Sequence, residues 1–382
     1  MSTWKRNWQE PERAFSASGR KCRIENIYKT IHEDFMTLSD DLGRNITYLR
    51  VSVTDRCNLQ CFYCSSHPQT PEQATQDCAE TCRFLPQEEL LTDAEILRVV
   101  ETFAKLGVQK IRLTGGEPLL RPNLSGIVQS ISQIPSITDI SLTTNGIFLL
   151  EQARGLKAAG IRRLNISLDT LQPERYRTIT GHDAFQRVWN GILHCLELSF
   201  SPVKLNVVMI KGVNDDELID LAALTLKWPV QVRFIEFMPI GRYTSWNASK
   251  HLSCEEMKHR IQQRLGPLTA VAQGRNAGPA EVYALANALG NIGFISPISR
   301  HFCATCNRVR LTADGHIRLC LFSDNELDLK AAMRNGISDE ALTKLLQDTI
   351  RRKPAGLDKS IEGGTETGKT PSCQRRMSTI GG

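Results

Sequence analysis

Between residues 48 and 239 the chain alternates strand-like and helix-like segments, and this rhythm limits the fold more than any other feature. Strand composition recurs at 48–55, 110–116, 137–146, 163–170, 202–212 and 230–239. Helical patterns fall at 92–106, from 122, at 149–160, near 184–198 and at 215–227. Strands and helices alternating at this spacing predict βαβ units and a parallel sheet. Six strands in succession fit an α/β protein built on an incomplete (β/α)6-type TIM barrel, although periodicity alone leaves a doubly wound sheet open. The placement of the polar motifs favours the barrel. Asp55, Gly115-Gly116-Glu117-Pro118, Thr143-Thr144-Asn145, Asp169 and Met238 all fall at the carboxyl ends of predicted strands. That rim carries the active site in β/α barrels.

The rhythm stops at Gly241. A helical pattern at 253–265, a Gly-rich stretch and short strand-like runs at 293–299 and 308–322 predict a smaller C-terminal domain. Ala313-Asp314-Gly315 is a hairpin signal inside the last of these runs. Residues 354–372 are rich in Gly, Thr and charge and read as a linker, before a terminus with Arg375, Arg376 and a final Gly381-Gly382. The expected organisation is an extension at 1–44, a barrel at 45–240, a second domain at 241–353 and a flexible tail at 354–382. A chain of 382 residues has room for one large domain and one small one.

The formal charge of +6 suits a small anionic substrate and is too weak to argue for nucleic acid. No apolar run approaches the ~20 residues of a membrane span. The first fifteen residues lack the apolar core of a secretory signal. A soluble protein in the reducing cytoplasm is expected, and there a disulfide framework is unfavourable.

Twelve cysteines are many for such a compartment. Six form two trios: Cys57, Cys61 and Cys64, then Cys303, Cys306 and Cys320. Clustered thiols in a reducing compartment suggest metal. Cys22, Cys78, Cys82, Cys195, Cys254 and Cys373 are scattered and read as buried or incidental. The first trio has the spacing C-x3-C-x2-C. Three thiolates on a four-iron cubane leave one iron open to a ligand, where four cysteines are usual. Zinc is the competing reading, but zinc motifs pair C-x2-C with a second pair. The second trio is a C-x2-C followed by a cysteine fourteen residues on, with His301 and His316 near enough to complete a zinc site.

C-x3-C-x2-C after a first strand, with Tyr63 before the last cysteine and a GGEP run after the second strand, resembles the radical S-adenosylmethionine superfamily. The run Phe302-Cys303-Ala304-Thr305-Cys306-Asn307-Arg308-Val309-Arg310-Leu311-Thr312 and the terminal Gly381-Gly382 narrow the resemblance to the GTP 3′,8-cyclase family of molybdenum cofactor synthesis. The match runs from about residue 42 to 329 and resumes at the last two glycines. The resemblance implies two [4Fe–4S] clusters, on Cys57, Cys61 and Cys64 and on Cys303, Cys306 and Cys320. It implies S-adenosylmethionine contacts at Tyr63, Gly116, Ser167 and Met238. GTP contacts are implied at Arg50, Arg112, Thr143, Lys204, Arg308 and Arg310. Arg308, Arg310, Gly381 and Gly382 are implied in catalysis, the glycines by reaching back into the site.

As partners the resemblance implies a flavodoxin- or ferredoxin-like reductant and, downstream, cyclic pyranopterin monophosphate synthase. Monomer and homodimer both stay open. Three departures stand out: Ser65-Ser66 after Cys64, the long 65–83 segment with Cys78 and Cys82, and residues 1–41, which short members of the family lack. Two rival functions remain at this stage. One is a peptide-modifying maturase with an auxiliary cluster; the other is a zinc-stabilised binding module.

Overall fold

The computed structural model describes residues 37–64, 84–240, 246–274, 278–356, 373, 375 and 377–381. The possible helix in the extension, Cys22, Cys78, Cys82, Arg376, most of the tail and Gly382 lie outside the described residues.

Six parallel strands follow the predicted rhythm, each shorter than its sequence pattern. They are β1 (Tyr48–Ser52), β2 (Lys110–Thr114), β3 (Asp139–Thr144), β4 (Arg163–Ser167), β5 (Val203–Met209) and β6 (Val230–Glu236). They pair in sequence order. The helices between them are α1 (Asp93–Lys105), α2 (Leu124–Ser132), α3 (Leu149–Ala159), α4 (Pro173–Thr180), α5 (Phe185–Glu197) and α6 (Leu218–Lys227). α1 starts where Thr92 and Glu95 form a reciprocal capping box, which satisfies two otherwise orphaned backbone donors. Helix α4, with sequence PERYRTIT, is too polar to show an apolar stripe and was not anticipated.

The C-terminal strands join the same sheet on both of its edges. β7 (Thr269–Ala270), β8 (Glu281–Ala284) and β9 (Asn291–Ile295) extend it beyond β6, with β9 parallel to that strand. β10 (Arg308–Leu311), β11 (His316–Arg318) and β12 (Glu326–Asp328) extend it beyond β1, with β10 parallel to β1. The ADG hairpin joins β10 to β11, as the sequence predicts. Helix α7 (Cys254–Leu265) falls at the predicted position; α8 (Leu329–Arg334) and α9 (Asp339–Arg351) follow β12, and α10 (Met377–Ile380) lies in the tail.

Alternation along each strand separates core from site. Leu49, Val51, Ile111, Leu113, Leu142, Leu164, Ile166, Leu205, Val207, Val232 and Phe234 are buried in one hydrophobic cluster with the helices. Their neighbours in sequence face the barrel interior, and these are polar: Arg50, Arg112, Ser141, Thr143, Asn165, Lys204, Asn206 and Arg233. Cys195, Cys254 and Cys373 are buried, as expected for the scattered cysteines. Among the described residues no helix is long and apolar enough to cross a membrane.

Candidate active site

The first cysteine trio sits on the loop that leaves β1. This loop is tied to the unanticipated helix α4: Gln60 N–H donates to Thr180 O at 2.9 Å and Phe62 N–H to Ile179 O at 3.1 Å. On its other side it meets the GGEP run. Gly116 N–H donates to Thr54 O and Glu117 N–H to Arg56 O. A Cβ on Gly115 would lie 2.3 Å from Thr54 O, and one on Gly116 would lie 2.3 Å from Arg56 O. The two glycines therefore let one loop dock its backbone on the other, besides leaving Gly116 at the cavity wall.

Two buried carboxylates flank this trio. Glu117 accepts from Leu119 N, Thr144 Oγ1 and Asn145 N, and burial pushes its pKa up to about 7. Asp169 accepts from Tyr63 Oη at 2.6 Å and Val208 N at 2.8 Å, and burial pushes it up to about 6. Burial likewise raises the thiols, Cys57 to about 11 and Cys64 to about 12. Neutral thiols of this kind release their protons when a cation arrives to balance the thiolate, so the donor set fits an iron cluster.

The second trio lies at the other end of β1. The Cys303–Thr305 turn and Cys306 precede β10, whose first residue, Arg308, is in register with Tyr48. Cys320 follows β11, the antiparallel neighbour of β10, which brings it back to the same end. Its surroundings are cationic. Burial pushes Cys306 up, yet the charges of Arg308 and Lys353 reverse this and leave its pKa lowered. Arg308 also stacks over Phe302, 4.8 Å from the ring centroid. Here the donor set fits an anionic cluster that draws on nearby positive charge. Among the described residues no group of three or more Cys, His, Asp or Glu converges on one metal-ion position. Thiolates of a cubane bind separate irons and need no such convergence.

All six cysteines line one cavity of about 350 Å³, within the range of small-molecule sites. Tyr63, Gly116, Ser167, Met238, Arg50, Arg112, Thr143, Arg308 and Arg310 line it too. Lys204 does not reach the lining. It faces the barrel interior on β5, one inward position below Asn206, where burial and then Arg233, Arg163 and Arg112 pull its pKa down to about 6. Arg310, Arg50 and Arg112 form one row across β10, β1 and β2.

Arg233 was missed in the sequence because it sits inside an apolar run, VQVRFIEF, with no motif around it. It lines the cavity, donates to Asn165 Oδ1 at 3.2 Å, and has its pKa lowered to about 9 by burial and by Arg112. Burial and Arg308 lower Arg310 to about 10. No carboxylate among the described residues forms an ion pair with Arg112, Arg233, Arg308 or Arg310. Buried and half-buried cations that repel one another in a cleft are suited to a polyanion. Tyr48 Oη, Thr143 Oγ1 and Asn206 Oδ1 are buried at the same wall with no hydrogen-bond partner among the described residues, which suits a polar ligand.

The tail enters the same interior. Arg50 Nη2 donates to Gly381 O at 2.9 Å, and Arg310 Nη1 donates to it at 2.6 Å. Gly381 has φ +74°, and a Cβ there would lie 2.3 Å from Thr114 Oγ1. Upstream, Arg375 pairs with Asp314 at 2.8 Å and Glu326 at 2.6 Å. Met377 and Ser378 line the cavity beside Met238, Leu321 and Phe322.

A partial parallel barrel with a C-x3-C-x2-C loop at its carboxyl rim marks a radical S-adenosylmethionine protein. The sequence model of the Radical SAM superfamily matches residues 51–225. That of Molybdenum Cofactor Synthesis C matches residues 230–359. A GTP 3′,8-cyclase from Desulforamulus reducens is 46% identical over 343 residues, covering 90% of this chain and 99% of the relative. One from Pelotomaculum thermopropionicum is 45% identical over 345 residues, covering 90% and 100%. The chain belongs to the GTP 3′,8-cyclase family, a radical S-adenosylmethionine family of molybdenum cofactor biosynthesis. Streptococcus suis SuiB, solved bound to S-adenosylmethionine, shares the fold alone: TM-score 0.56, 14% identity, 88% of this chain and 74% of that one. Family membership carries with it S-adenosylmethionine and one [4Fe–4S] cluster.

Proposed function

We propose that this protein is a GTP 3′,8-cyclase, converting GTP to (8S)-3′,8-cyclo-7,8-dihydroguanosine 5′-triphosphate as the first step of molybdenum cofactor synthesis. One observation carries the reading: a single cavity with a cysteine trio at each end of β1 and a set of buried and half-buried arginines between them. Cys57, Cys61 and Cys64 would hold a [4Fe–4S] cluster that, with S-adenosylmethionine, would supply one-electron hydrogen-abstraction chemistry at the 3′ position of GTP; closing C3′ on C8 of guanine would then take one further electron and a proton to give the dihydro product.

The chain's own residues bind, orient and shield. Tyr63, Gly116, Ser167 and Met238 contact S-adenosylmethionine. Tyr63 is fixed by its hydrogen bond to Asp169, and a ligand carrying a sulfonium and an ammonium would favour the ionised forms of Asp169 and Glu117, whose pKa values burial raises in its absence. Arg50, Arg112, Thr143, Lys204, Arg308 and Arg310 bind GTP, and Arg233 adds a further cation to the triphosphate site. Guanidinium suits this work because its planar fork can donate two hydrogen bonds to phosphate. Cys303, Cys306 and Cys320 would hold a second [4Fe–4S] cluster, which would bind the guanine. Gly381 and Gly382 act with Arg308 and Arg310. The contacts of Arg50 and Arg310 with Gly381 O support a tail and a substrate meeting at the same guanidiniums. The helices and the tail keep water from the radical. Electrons come from a flavodoxin- or ferredoxin-like protein, and the product passes to cyclic pyranopterin monophosphate synthase.

The test is anaerobic reconstitution with iron and sulfide, then S-adenosylmethionine, dithionite and GTP, read by mass spectrometry. Formation of 5′-deoxyadenosine together with a GTP-derived cyclic product is expected. 5′-Deoxyadenosine without GTP conversion would keep the radical chemistry and move the substrate elsewhere.

A further inference from the structure

Lys353 lies two residues beyond α9, and only 5% of it is exposed. Its ammonium donates to Arg308 O at 2.8 Å and to Leu319 O. One of these carbonyls stands two residues after Cys306 and the other one residue before Cys320. A single side chain thus joins the two segments that carry these cysteines. Arg44 does the matching work for the third cysteine. Its guanidinium donates to Cys303 O at 2.9 Å, and to Lys353 O at 3.0 Å and Pro354 O at 2.8 Å.

The two cations differ in one respect. Arg44 has its own carboxylate, Asp40, at 2.5 Å. Lys353 has two backbone carbonyls and, among the described residues, no carboxylate in ion-pair range. Burial lowers its pKa, and the negative groups that oppose this are the sulfurs of Cys306 and Cys320. A buried ammonium without an anion is strongly unfavourable, so something must balance it.

We infer that Lys353 is a positioning residue of the second trio: it is the fixed counter-charge of the Cys306 and Cys320 thiolates, it ties their two segments together, and it raises the reduction potential of the cluster they hold. A fixed positive charge in a low-dielectric site stabilises an added electron, and net charge around a cluster is one of the settings of its potential. The inference rests on the reading that the second trio binds a [4Fe–4S] cluster.

The experiment uses the full chain with Cys57, Cys61 and Cys64 replaced by serine, so that iron and spectroscopic signals report the second cluster alone. In that background, K353Q, K353M and K353R are compared with Lys353 after anaerobic reconstitution. Iron content is measured and the cluster's electron paramagnetic resonance signal is titrated against potential. The neutral variants are expected to shift the reduction equilibrium roughly tenfold toward the oxidised form, about 59 mV for a one-electron couple, with K353R close to the parent. Neutral variants that fold but lose their iron, while K353R keeps it, also support the inference. An unchanged potential at full iron content in K353Q or K353M overturns it. So does loss of the fold in both neutral variants, which would make Lys353 a structural clamp only. If the parent with Lys353 intact folds but binds no iron, the second-cluster reading itself falls, a result separate from an unchanged potential.

Discussion

The two cysteine trios offer the same number of thiols to one cavity, but their electrostatic surroundings are opposite. Around Cys57, Cys61 and Cys64 the charged neighbours are Glu117 and Asp169, and burial keeps the thiols protonated. Around Cys306 the neighbours are Arg308 and Lys353, and they more than offset burial. The difference follows the ligands each end would receive. Under the proposed function, S-adenosylmethionine would bring a sulfonium and an ammonium to an acidic end, and GTP would bring a polyanion to a basic one. Ligand count alone would make the trios equivalent; the second layer of residues makes them different.

Exchanging the trios' roles by mutation should break this comparison most sharply. Cys61→Ser should abolish formation of 5′-deoxyadenosine altogether. Cys306→Ser should abolish the cyclic product while leaving some uncoupled S-adenosylmethionine cleavage. Equal loss of both products in both variants would mean that the trios do not divide the work.

The acidic end should also show in the pH dependence of the iron-free chain. Burial raises Glu117 from 4.5 to about 7, so the folded state binds the proton more tightly than the unfolded state. The resulting stability is full below pH ~4.5 and is lost as pH rises through about 7, a change of about 3 kcal/mol. Glu117→Gln should flatten that slope in denaturant titrations between pH 5 and 7. A slope that survives the substitution would assign it to another group.

At the basic end, Arg308→Ala should weaken GTP binding about 10- to 100-fold, the range for one hydrogen bond to a charged group. Cleavage of S-adenosylmethionine should persist. Unchanged GTP affinity by calorimetry would remove Arg308 from the substrate site. The smallest effect is expected in the tail. Gly381→Ala adds a Cβ in contact with Thr114 Oγ1 at a positive φ, and a cost of 1–2 kcal/mol corresponds to about tenfold in product formation. Wild-type turnover in this variant would show that the tail's position is not needed.

Much of the site was readable because its parts are local in sequence. C-x3-C-x2-C, GGEP and the run FCATCNRVR each keep their residues within one loop or one strand end. Arg233 and Lys204 were harder. Each is a lone cation in an apolar run, and only the packing of the helices against the other face of the sheet turns such positions inward. Helix α4 was hidden for the converse reason: its polar sequence shows no stripe, and its role is to hold the first cysteine loop through backbone bonds.

By itself, then, the sequence determined the alternation of strand and helix, the two thiol trios and the family. These are properties of spacing and side-chain type, which a chain carries whether folded or not. The tertiary structure decided the rest. It set the C-terminal strands on both edges of the sheet, brought Gly381 to Arg50 and Arg310, and gave each trio its own charge. Those contacts join residues up to 331 positions apart. No local pattern encodes such pairings, because they arise only when burial of the common core fixes where each strand end lies.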